Sequence, residues 1–156
     1  ANNAVRTVRN VRSQIEERGK ALAAGDRAAF EQQSGPVMQK LTTIEEAIYQ
    51  TQSHASEDPL NYPIRINNKI AALGSDVGGA DSRPTDQAYQ VYKILSAQLD
   101  VQLRALHSAL GELKGVNTFL ASHGAAAIVP STAEVKGADV PAPDEGETDM
   151  DDSADR

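Results

Sequence analysis

The chain has 156 residues, 40% apolar and only 4% aromatic, with no Trp and a net charge of −7. This length fits one domain, and a core limited to Leu, Ile, Val and Ala suits helix packing. The absence of Cys excludes a disulfide framework and Cys-based thiol or metal chemistry, and no apolar run approaches the roughly 20 residues of a membrane span.

The charge is unevenly placed. Residues 131–156 hold nine acids and two bases, whereas residues 1–130 hold 13 of each. A neutral body lacks the basic footprint of a general nucleic-acid binder. Neither nucleic-acid binding nor membrane insertion is expected. Ala1 opens the chain without a signal-peptide pattern, which leads us to expect a processed chain or a piece of a longer one.

Val5, Val8, Val11, Ile15 and Leu22 share one helical face and predict a first helix over 3–24. Arg6, Arg9 and Arg12 step by three beside that face, with Arg18 further on. This ridge is either a solvated flank whose stems cover the apolar stripe, or a docking surface for another domain. Gly25 is placed as the residue that stops the helix and Asp26 as the N-cap of the next. So short a turn makes helices one and two antiparallel neighbours.

Helix two carries Phe30, Val37, Leu41, Ile44 and Ile48, in phase across Gly35-Pro36. Pro36 removes one amide donor and clashes with the carbonyl of Gln32. A kinked continuous helix accounts for the phase, and two helices broken at Ser34–Gly35 are the alternative. The acidic pairs Glu16-Glu17 and Glu45-Glu46 read as exposed helix faces.

Two prolines, Pro59 and Pro63, then force a corner. The residues before them are pushed toward extended geometry, so a third helix begins at about Asn61 to Pro63. Tyr62, Ile66, Ile70, Leu73 and Val77 form its buried stripe, and Gly78-Gly79 end it. Asp58, Asn61, Pro63, Arg65 and Asn68 make up this structural corner. The side chains of Arg65 and Asn68 are expected to satisfy backbone groups between Ser53 and Leu60, because buried orphans are costly.

Thr85 is the N-cap expected for helix four, whose stripe is Tyr92, Leu95, Leu99, Leu103, Leu106, Leu110 and Leu113. Gly111 and Gly115 weaken its end, so Val116, Phe119 and Leu120 are assigned to a short last helix stopped by Gly124. Ile128-Val129-Pro130 is expected to lie extended over the bundle. Beyond it the composition falls to Pro, Gly, Ala and acids and predicts disorder. The fold class is therefore all-α: an up-down four-helix bundle over 1–130 with a short extra C-terminal helix, then a disordered acidic tail over 131–156.

Motifs that carry chemistry are missing. No Glu-x-x-His or His-x-x-x-His pair, nucleophile elbow, Walker loop or Gly-x-Gly-x-x-Gly occurs. His54, His107 and His123 read as surface residues. Asp149-Met150-Asp151-Asp152 lacks the spacing and bidentate Glu of a calcium loop. No catalytic residue, cofactor or metal ligand is assigned.

Residues 58–73, Asp-Pro-Leu-Asn-Tyr-Pro-Ile-Arg-Ile-Asn-Asn-Lys-Ile-Ala-Ala-Leu, resemble the C-terminal helical region of bacterial sortilin-like (VPS10-type) β-propeller proteins, often labelled BNR-repeat glycosyl hydrolases. Residues 44–51, Arg83-Pro84-Thr85 and Val116-Asn117-x-Phe119 are similar to the same region. The likeness covers roughly residues 1–130, and Pro36 departs from the uninterrupted helix expected there. The resemblance implies a fragment whose upstream propeller carries the Asp-boxes and any hydrolase activity. It further implies an extracytoplasmic home, periplasmic or secreted, and that upstream propeller as partner. The resulting expectation is a non-catalytic helical accessory module docking through Arg6, Arg9 and Arg12. An independent peptide- or glycan-binding bundle at the Pro corner is the alternative.

Overall fold

The computed structural model describes residues 1–52, 61–79 and 83–132. It is all-α, with four helices: α1 (Asn2–Ala21), α2 (Ala24–Ile48), α3 (Ile66–Gly78) and α4 (Asp86–Ser122). No strand occurs among the described residues. The acidic segment expected to be disordered lies outside the described residues from 133 onward.

The turn between α1 and α2 is tighter than the sequence predicts. Only Leu22 and Ala23 lie outside the helices, both extended. Gly25 and Asp26 therefore sit in the first turn of α2, not at its boundary. Asp26 acts there as an acid near the helix's positive end. The exposed carbonyls of α1 are taken by a side chain from across the turn. Arg27 donates to the carbonyls of Leu22 at 3.1 Å and Lys20 at 3.0 Å.

α2 runs unbroken through Pro36, so the continuous reading holds over the break at Ser34–Gly35. Both Pro36 and Gln32 face solvent, so water can satisfy the carbonyl that Pro36 leaves without a donor. Meanwhile Val37, Leu41, Ile44 and Ile48 keep the inward face in register.

α3 begins at Ile66, later than expected, with Arg65 extended as its N-cap residue. Its stripe is only half sunk. Ile66 is buried, Ile70, Leu73 and Val77 are half-buried, and Tyr62 is exposed. The expected end at Gly78-Gly79 is found.

α4 is one helix of 37 residues. The separate short C-terminal helix does not exist; Val116, Phe119 and Leu120 belong to the last two turns of α4. A helical Gly costs about 1 kcal/mol against Ala. Leu113, Val116 and Leu120 are all buried at helical spacing, and that packing carries the helix through Gly111 and Gly115. Thr85 caps the start, its hydroxyl accepting the Ala88 N–H at 3.2 Å. At the end, Gly124 takes φ +66°. Ala125 N–H then bonds Leu120 O, and Gly124 N–H bonds Ala121 O, which closes a Schellman motif.

The main core joins α1, α2 and the C-terminal half of α4. Val8 and Val11 of α1, Leu41 and Ile48 of α2, and Val116 and Leu120 of α4 are all buried in it. Phe30 fits beside Gly19, where an added Cβ would stand 3.2 Å from the ring. Ile128 seals this core at 2% exposure. α3 packs along α4, and Ile66 and Leu95 are buried outside the main cluster.

Candidate functional site

The arginine ridge of α1 turns inward at two of its three members. Val8 and Val11 are buried at the seam with α2, so Arg9 and Arg12, each one residue further on, border that seam. Across it, Glu45 lies between Ile44 and Ile48 on the buried face of α2 and is only 4% exposed. Arg9 Nε donates to Glu45 Oε1 at 2.6 Å, and Arg12 Nη1 donates to Oε2 at 2.7 Å. The Arg9 guanidinium also lies over the Tyr49 ring, 5.0 Å from its centre. Arg6 is likewise engaged.

This arrangement corrects the reading of Glu45 as an exposed acid. One buried carboxylate is clamped by two guanidiniums from the neighbouring helix. With both oxygens occupied by charged donors, Glu45 is placed to hold helices together and not to reach a substrate. Arg12 Nε is buried without a hydrogen-bond partner, so the clamp is not fully satisfied.

The proline corner is tied to the end of α2 by a residue the sequence analysis did not single out. Gln50 is buried, and its amide donates to the carbonyl of Pro63 at 2.9 Å. Its oxygen accepts the N–H of Gln52 at 3.1 Å. Asn61, Pro63, Arg65 and Asn68 are all exposed. Arg65 contributes its backbone, whose carbonyl accepts the first α3 bond from Lys69 N–H. Asp58, and the loop carbonyls assigned to Arg65 and Asn68, lie outside the described residues.

The C-terminal strap is held by two side-chain amides acting as a strand edge would. Asn117 donates to Ile128 O at 3.0 Å and accepts Ile128 N–H at 2.7 Å. Gln14 does the same for Val129, at 2.8 and 3.0 Å. Arg18 adds a bond to Ala126 O at 3.0 Å. The expected extended cover over the bundle is thus present and clipped to both α1 and α4.

An open groove of about 710 Å³ lies between α2 and α4, bordered by Pro36, Val37, Gly115 and Phe119. Tyr62 does not line it. Of the histidines, His107 is exposed. His123 stacks on Phe119 at 4.1 Å between ring centres, and its Nε2 is 3.7 Å from Asp26. His54 lies outside the described residues. Among the described residues no three His, Asp or Glu side chains converge as metal ligands would, and no helix is long and apolar enough to cross a membrane.

Glu45 carried a faint signal. Glu45 stands four residues after Leu41 and three before Ile48, inside the apolar stripe, where a charge must find a partner. Gln14, Gln50 and Asn117 carried none, because the backbone carbonyls they donate to are more than ten residues away in sequence.

Fold and site together define an all-α bundle, cross-linked by a buried ion triad and closed by a strap. Set beside protein-family models, curated proteins and solved structures, the chain matches none of them.

Proposed function

We propose that the chain is a helical interaction module without catalysis of its own, serving a sortilin-like β-propeller protein of the kind its proline corner resembles. The supporting observation is a stripe on α4. Val91, Ile94 and Val101 are exposed there, and Gln98 and Ala105 continue the same face at helical spacing. No charged residue interrupts it. Exposed apolar surface of this kind marks a docking face. Arg9 and Arg12 are committed to Glu45, so the docking face moves from the arginine ridge to α4. The partner is the propeller that the resemblance implies, in an extracytoplasmic setting.

Titration calorimetry of the chain against that propeller, supplied as a separate polypeptide, tests the proposal. Wild type binds, and Ile94→Glu with Val101→Glu weakens binding by roughly tenfold or more. Binding unchanged in that variant, or turnover of a glycoside by the chain itself, would overturn it.

A further inference from the structure

Among the described residues, the stripe predicted for the core of α4 is only partly covered. Leu95, Leu106 and Leu113 are buried and Leu99 and Leu110 pack on the core, yet Tyr92 and Leu103 of that stripe are 59% and 39% exposed, as is Tyr89 one turn before it at 50%. Taken with the half-buried Ser96 in place of the buried Leu95, Tyr89, Tyr92, Leu99, Leu103, Leu106, Leu110 and Leu113 repeat at three and four without interruption. Length accounts for the mismatch. α4 is about 55 Å long, whereas α2 is about 37 Å, so α2 leaves the N-terminal end of α4 uncovered. This surface is distinct from the Val91, Ile94 and Val101 face, which lies on the other side of the helix.

We infer that this stripe is the contact between two copies of the chain, paired antiparallel through α4. The charged and polar side chains beside it select that partner. Asp86, Lys93, Asp100 and His107 step by seven along one edge of the stripe. A two-fold axis between Ser96 and Ala97 sets Lys93 against the partner's Asp100, and Asp86 against the partner's His107. The same axis brings Tyr92 within a turn of the partner's Leu103. It also puts the small Ser96 where the two backbones come closest. A parallel pairing would set the charged edge against Leu95, Gln102 and Ala109, which offer it nothing. An interface in which one patch serves both partners is what two-fold symmetry requires.

Sedimentation equilibrium of the full chain tests this, with variants that leave the helical fold intact by circular dichroism. Wild type is expected to be a dimer. Lys93→Asp and Asp100→Lys should each weaken association by roughly tenfold, and the two together should restore it. Restoration is the informative outcome, because residues 93 and 100 are two turns apart and do not pair within one helix. The chain has no Cys of its own, so Ser96→Cys should cross-link two copies on oxidation while Gln98→Cys, on the opposite face, does not. A monomer at every concentration overturns the inference, as does a double swap that fails to restore the dimer or cross-linking through residue 98 instead of 96. If a monomeric chain still binds the propeller through Ile94 and Val101, the dimer is lost and the interaction-module reading stands.

Discussion

Glu45 shows how much a single position can commit a helix pair. Its carboxylate is almost fully buried, and both cations that compensate it come from α1. Breaking a buried pair from one side leaves an uncompensated charge, which costs about 3–5 kcal/mol. Arg9→Ala combined with Arg12→Ala should lower stability by about that amount, measured as the shift in urea unfolding midpoint. Adding Glu45→Ala to the pair should recover part of the loss, because the stranded charge is gone. A triple variant less stable than the double would mean that the clamp is a set of packing contacts and not an electrostatic unit. Gln50 acts at the same end of the bundle on one carbonyl. Gln50→Ala should cost about 1–3 kcal/mol if Pro63 O is left without a donor. An unchanged unfolding midpoint would show that solvent replaces the bond.

Among the elements, the C-terminal end of α4 and the strap after it form one unit. Gly124 reverses the chain at positive φ, which lets Ala125 bond back to Leu120 and directs Ile128 onto the core. A Cβ meets no neighbour at this position, so the cost of Gly124→Ala is conformational and should be roughly 1 kcal/mol. Thermal melting of that variant beside Gly124→Asn separates the terms, since Asn tolerates the left-handed region better and should melt closer to wild type. The strap itself does more. Ending the chain at Gly124 instead of Pro130 removes Ile128 from the core and leaves Asn117 and Gln14 without the backbone they clip. Loss of a buried Ile side chain alone is worth about 2–5 kcal/mol. The shorter chain should therefore melt well below the one ending at Pro130. Equal melting temperatures would show the strap to be a passenger.

For the whole molecule, the four main helices that the sequence predicts exist, the short last one is the end of α4, and the remaining differences lie in where their faces go. The α1, α2 and α4 stripes form one core, in which Val8 and Ala109 are fully buried and Gly19 leaves room for the Phe30 ring. α3 rests on α4 and leaves much of its surface to solvent. α4 outreaches the helices it packs on and carries exposed apolar residues on two faces. A helix that is apolar on several sides is normally covered. Adding a low concentration of a hydrophobic-surface dye should give strong fluorescence with Tyr92→Glu in the dimer contact, because the Ile94 face remains, and weaker fluorescence when Ile94→Glu and Val101→Glu are also present. No change on removing the second face would argue that α4 is covered by some other part of the chain.

The sequence by itself determined whatever depends on neighbours in the chain. The apolar spacing placed four helices, Thr85 marked a start, Gly78-Gly79 and Gly124 marked ends, and Ile128 announced an extended cover. Those features rest on backbone dihedrals, side-chain caps and periodicity, which act within a few residues. Only the tertiary structure decided which charges are buried, which amides hold the strap, and how far the α4 stripe is covered. Glu45 meets cations 33 and 36 residues away, and Gln14 meets Val129 at a separation of 115. The sequence shows that each such group needs a partner but not which residue supplies it, because the choice is made by how helices of unequal length are stacked against one another.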